Sequence, residues 1–163
     1  MLLATLLLLA APQAASAPDC PAMPAALPAG MEGWRRPVPV TAGADATRPT
    51  ALTIGTAVTA TLLPVSRLSY AVPPTKAAKP DSHGGVLAFT VAKAGRYRVA
   101  LGAAAWVDVL RGTTALTSAA HGHGPACSTI RKMVDFDLQP GRHLLQIAGS
   151  EPPALTVMVV AMP

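Results

Sequence analysis

Charged residues make up only 13% of this 163-residue chain and aromatic residues only 4%. The charged share is about half that of an ordinary globular protein. Few charges and few aromatics leave no basic stripe interleaved with stacking side chains, so nucleic acid is excluded as a partner. Length allows one domain and excludes an enzyme with a separate cofactor-binding half. Long helices are excluded as well, because 17 prolines and 13 glycines interrupt the chain at short intervals. Mean hydropathy is nonetheless +0.40. The apolar residues lie in short runs, and the longest, at the N-terminus, is too short to span a bilayer. The mature chain is therefore expected to have no transmembrane segment.

That N-terminal run carries an address. Leu2, Leu3 and residues 6–11 form an apolar stretch, and Pro12 and Ala14-Ala15-Ser16-Ala17 follow it. Residues 1–17 read as a secretory signal peptide, which places the mature protein in the periplasm or outside the cell. Asp19 stands before Cys20 where a lipoprotein signal needs a small residue. Export gives the two cysteines their meaning: in an oxidising compartment Cys20 and Cys127 are expected to form a disulfide that pins a loose arm to the domain. The competing reading makes Cys127 a thiolate metal ligand. A net charge of +5 is spread along the chain rather than packed in one block; it favours solubility and contact with an anionic envelope component.

Residues 18–50 are rich in proline and alanine and read as an extended arm with Gly33-Trp34 as its anchor. Residues 51–163 change to short alternating runs. Val58, Ala60 and Leu62 mark one strand, residues 68–72 a second, and residues 73–85 a long loop. An internal echo follows. Leu87-x-Phe89-x-Val91 passes through Gly95 to Tyr97-x-Val99-x-Leu101, and Val134-x-Phe136-x-Leu138 passes through Gly141 to His143-x-Leu145-x-Ile147. Each half reads as a β-hairpin. With strands at residues 106–110, 115–119 and 155–160, the count is about eight or nine, and the fold class is all-β: a single β-sandwich of jelly-roll or Greek-key type. Phe89, Tyr97, Trp106 and Phe136 are expected in its core.

One segment concentrates chemistry: Ser118-Ala-Ala-His121-Gly122-His123-Gly124-Pro125-Ala126-Cys127. On a strand, residues i and i+2 share a face, so His121 and His123 could reach one metal ion. His83 is a third candidate ligand and Asp108 a weaker one; the cofactor would be a single transition-metal ion, Fe, Cu or Zn. The alternative is a glycine-rich turn whose imidazoles hydrogen-bond nearby carbonyls. His143, on a strand, is read as structural. No G-x-S-x-G elbow, glycine-rich phosphate loop or opposed carboxylate pair occurs. Asp135 and Asp137 share one strand face opposite Phe136 and read as solvated.

Residues 95–101, 105–109 and 121–132, the last including His121-Gly-His-Gly-Pro-x-Cys127-Ser-Thr-Ile-Arg-Lys132, resemble a group of small exported proteins of sphingomonad-type alphaproteobacteria. The resemblance covers most of residues 31–160. Members often carry the name homogentisate 1,2-dioxygenase, which implies an Fe(II) centre of two histidines and a carboxylate. Cupin dioxygenases place a glutamate shortly after their H-x-H, whereas residues 124–132 contain no acid. The strand–glycine–strand echo is also similar to bacterial pre-peptidase C-terminal sandwich modules. The leading expectation is a non-catalytic exported sandwich that binds a small ligand or envelope partner through His121-Gly122-His123. Its alternatives are a periplasmic metal-binding protein and an Fe(II)-dependent dioxygenase.

Overall fold

The computed structural model describes Cys20 and residues 26–163; the signal segment 1–17 lies outside the described residues. Twelve strands follow in chain order: β1 (Val38–Thr41), β2 (Thr50–Ala51), β3 (Ala57–Thr61), β4 (Leu63–Pro64), β5 (His83–Val91), β6 (Gly95–Leu101), β7 (Trp106–Arg111), β8 (Thr114–Ala115), β9 (Ala120–Gly122), β10 (Lys132–Leu138), β11 (Gly141–Ser150) and β12 (Ala154–Ala161). They build two sheets, ordered β1-β3-β12-β6-β10-β9 and β2-β5-β11-β7-β8, with β4 paired on β5. The all-β sandwich is thus present. Both sheets are mixed, because β1 runs parallel to β3 and β2 parallel to β5. Among the described residues no helix is long and apolar enough to cross a membrane.

Period-2 alternation fills the space between the sheets. Leu87, Phe89 and Val91 of β5, with Val107 and Val109 of β7 and Leu145 and Ile147 of β11, face Tyr97, Val99 and Leu101 of β6, Val134, Phe136 and Leu138 of β10, and Val157 and Val159 of β12. Burying each such side chain contributes roughly 1.5–3 kcal/mol. The outer faces are apolar too. Ala57, Ala100, Met158 and Val160 on the back of the first sheet are covered by Met31, Trp34 and Ile130. Val86, Ala88, Leu110 and Leu144 on the back of the second lie under Tyr70, Ala71 and Val72. Two covered backs explain the high hydropathy and the scarcity of charge.

The echo is not a pair of hairpins. β5 and β6 belong to different sheets, as do β10 and β11. Each glycine turn is an arch that carries the chain across the sandwich. Their partners come from the other arch: β6 pairs with β10 and β5 with β11. Alternation specifies which residues face inward, and a strand facing its neighbour across the core satisfies it as well as one beside it.

Three smaller expectations also change. Residues 68–72 form no strand; they lie as a strip over the second sheet, with one isolated bridge from Ser69 to Asp45. Of the strand expected at 115–119 only Ala115 lies in one, at the end of β8; residues 116–119 form a connection to β9. The stretch 26–50 supplies strand β1 and the first residue of β2, besides the Met31–Trp34 cover. Trp34 is buried as an anchor, with its Nε1 donating to Thr129 Oγ1 at 3.0 Å. Gly33 is needed beside it, since a Cβ there would lie 2.6 Å from the Gly55 carbonyl oxygen.

Candidate functional site

A cleft of about 710 Å³ opens where the strip after residue 75 approaches β9 and the start of β10. The strip leading into its first wall, residues 76–82, is held by side chains of the second sheet rather than by a backbone ladder. Buried Gln146 on β11 accepts from the Ala71 N–H at 2.7 Å, and its Nε2 donates to the Val72 carbonyl at 3.1 Å. Tyr70 donates its hydroxyl to the Ile147 carbonyl at 2.8 Å. Burial, and next the charge of Asp108, push the Tyr70 pKa up to about 12, so it remains a donor. Asp108 on β7 accepts from the Thr75 N–H at 3.1 Å, the Thr75 hydroxyl at 2.5 Å and the Trp106 indole N–H at 3.0 Å. Beyond this clamp, the Ser82 hydroxyl closes a turn on the Lys79 carbonyl.

The second wall is β9 with the loop that returns to β10. Met133 and Val134 of β10 pair with Gly122 and His121. His123 Nδ1 lies 3.0 Å from the Arg131 carbonyl and 2.8 Å from Arg131 Nη1. One ring nitrogen cannot donate to the first and accept from the second at once, yet in either tautomer Nδ1 is committed to Arg131. The loop is fixed at its middle by the Cys20–Cys127 disulfide, with Cα atoms 5.4 Å apart. Cys127 is therefore not a thiolate ligand.

Trp106 forms part of the cleft lining and is only partly buried, contrary to the expectation that places it in the core. Phe89, Tyr97 and Phe136 are buried there as expected. Lys132 Nζ stands 4.9 Å from the Trp106 ring centroid and Lys76 Nζ 5.9 Å. Lys132 is half-buried and donates to the Ala105 carbonyl at 3.0 Å. Burial first, and the neighbouring Lys76 charge second, hold its pKa below the ordinary lysine value. The lining carries four cations, Lys76, Lys79, Arg131 and Lys132, against the two acids Asp81 and Glu151. None of these six is ion-paired. Among the described residues the salt bridges are Arg96–Asp137 and Arg98–Asp135, both elsewhere.

Of the residues singled out for metal binding, His121 and His123 line this cleft together. His83 does not; it begins β5, and its Nδ1 faces the Glu151 carbonyl at 3.2 Å. The Asp108 oxygens are occupied by the three donors just described. Among the described residues no group of three or more His, Cys, Asp or Glu is placed to hold a metal ion. A two-histidine, one-carboxylate iron site does not fit these side chains. His143 is a core residue: buried, stacked on Phe89 at 5.6 Å, with Nδ1 3.1 Å from the Gly141 carbonyl.

The H-x-H pattern located one wall of the cleft. Lys76, Trp106, Arg131 and Lys132 carry no mutual spacing that would reveal them as neighbours. Compared with models of protein families, with curated proteins and with solved structures, the chain matches none.

Proposed function

We propose that this is an exported, non-catalytic β-sandwich that binds a small ligand or an envelope component in the cleft beside His121-Gly122-His123. The observation that carries this reading is the convergence of polar side chains on one concavity, both imidazoles with Arg131, Lys132 and Lys76 around a partly exposed indole, the three cations having no carboxylate partner among the described residues. A concave site with a few convergent polar groups is the usual form of a ligand pocket. Its walls are fixed by the Asp108–Thr75 clamp on one side and the Cys20–Cys127 disulfide on the other, which suits a preformed binding site. The disulfide accords with an oxidising compartment and hence with export. Binding without turnover is favoured by the nearby hydroxyl of Ser82, whose proton is engaged by the Lys79 carbonyl rather than by a base. The dioxygenase implied by the resemblance would need a carboxylate placed with both imidazoles, and among the described residues no such group of three is placed to hold a metal.

The test is a set of two-dimensional amide spectra of the isotope-labelled mature protein. These are recorded with amino acids, neutral sugars, sugar acids, phosphates and soluble cell-wall fragments. Saturable shifts confined to residues 76–79, 104–106, 121–123 and 131–132 are expected with at least one class. Shifts absent from these residues throughout the set would overturn the reading.

A further inference from the structure

We infer that the cleft selects an oxyanion, a carboxylate or phosphate group seated between the Lys76 and Lys132 ammonium groups beside Trp106. This rests on the binding reading above and names the chemistry that the site recognises. Two ammonium groups stand within 6 Å of one indole centroid, at 5.9 and 4.9 Å. Neither has a carboxylate partner among the described residues. Lys132 is half-buried with one hydrogen bond, to the Ala105 carbonyl, and so retains donors that its surroundings do not use. Burial first and the Lys76 charge second hold the Lys132 pKa down, and the Asp108 charge partly opposes them.

A fold that brings two cations to one indole, removes one partly from water and offsets them only with Asp108, whose oxygens are taken by Thr75 and Trp106, holds an incomplete arrangement. An oxyanion completes it by accepting charge-assisted hydrogen bonds from both. The ring does not replace it, since a cation–π contact supplies attraction but no acceptor for the remaining N–H groups. Arg131 lies on the same rim and can contact a second anionic group, with its Nη1 set by His123. Asp81 and Glu151 lie on the rim as well and would repel an anion seated near them. Asp108 also stands beside Trp106, but its oxygens are covered by the Thr75 and Trp106 donors, so the preference is placed at the Lys76–Lys132 pair. Such a group could come from a free small anion or from a repeating acidic polymer of the envelope, and both present the same chemistry.

The test uses the chain's two tryptophans, which give two separate indole N–H signals. The mature protein is titrated with inorganic phosphate, with a galacturonate trisaccharide and with the neutral maltotriose. The Trp106 signal is expected to move saturably with an anionic probe, while that of Trp34 stays still. Lys132→Gln is expected to weaken that binding about tenfold or more, the usual consequence of losing a charge-assisted bond. Raised salt should weaken it further. A response to phosphate alone assigns the site to small anions; a tighter response to the trisaccharide assigns it to an acidic polymer. If maltotriose moves Trp106 equally and Lys132→Gln changes nothing, the cleft binds ligands but the anion inference fails. If no probe moves Trp106, the anion inference fails. The cleft reading then stands or falls separately, on the amide shifts in the wider ligand set.

Discussion

Arg98 on β6 meets Asp135 on β10 in a two-pronged pair, Nε to Oδ1 at 2.7 Å and Nη2 to Oδ2 at 2.8 Å, with the Asp135 side chain only 8% exposed. One step along the same face, Arg96 and Asp137 repeat the geometry in open solvent, with side chains 44% and 65% exposed. Asp135 is therefore not on a solvated face, although it does share that face with Asp137. The two pairs hold together strands that come from different arches. A buried carboxylate stripped of its partner is costly, about 3 kcal/mol, whereas an exposed pair contributes little. Arg98→Ala should lower the urea midpoint strongly, and Arg96→Ala should barely move it. Equal effects from the two variants would contradict the burial difference.

His143 supplies a pH dependence. Its Nε2 is buried without a hydrogen-bond partner, and desolvation holds its pKa below the ordinary imidazole value, opposed by the bond to the Gly141 carbonyl. As pH falls below about 6.5 the unfolded chain takes up a proton at this position and the folded chain does not. Stability should then drop with pH until the folded-state value is passed, after which both states are protonated and the dependence ends. His143→Leu removes both the unpartnered nitrogen and the titration. Its urea midpoint is expected to equal or exceed that of the natural protein at pH 7.5, with the advantage growing towards pH 5. A difference between the two proteins that stays constant over that range would show that His143 is not the titrating group.

The alternation at Leu87-x-Phe89 and Val134-x-Phe136 made the inward faces legible, because the large apolar residues recur at every second position with Ala88 and Asp135 between them. The pairing partners were harder to read. The needed signal sat at the intervening positions, where Arg96-x-Arg98 complements Asp137 and Asp135 and marks β6 and β10 as neighbours. Leu68, Tyr70 and Val72 alternate like a strand, yet their backbone is met by the Gln146 amide instead of a neighbouring ladder. No local pattern distinguishes those two fates. The His121 loop was visible as a place of interest; its neighbours were not. Lys76 reaches the cleft through the Asp108–Thr75 clamp and Lys132 through the β10 register, both consequences of tertiary structure.

The disulfide joins residues 107 apart. Closing so long a loop removes much of the freedom of the unfolded chain, worth about 2–5 kcal/mol in small exported domains. Reduction, or Cys20→Ala with Cys127→Ala, should lower stability by that order in urea unfolding. Because Cys127 lies between His123 and Arg131, hydrogen exchange should also accelerate across residues 121–132 while β11 stays protected. A loss below about 1 kcal/mol would mean that the bridge constrains little.

Two glycines in the histidine loop look alike in sequence and differ in surroundings. A Cβ on Gly122 would meet nothing within 4 Å. One on Gly124 would lie 2.4 Å from Ile130 Cβ and 2.5 Å from its carbonyl oxygen. Both obstacles are at or next to the backbone, so neither can swing aside. Ile130 is buried with Trp34 and Met31 in the cover of the first sheet and stands next to Arg131 of the cleft. Moving it would disturb the cover and the cleft wall together. Gly122→Ala should therefore stay within about 0.5 kcal/mol of the natural protein. Gly124→Ala should cost about 1–3 kcal/mol as an overpacked site. In amide spectra the second variant should shift both the residues around Trp34 and those at 121–132, while the first shifts only its immediate neighbours. Equal tolerance of both substitutions would mean that the loop does not pack against Ile130, and the shape of this cleft wall would have to be redrawn.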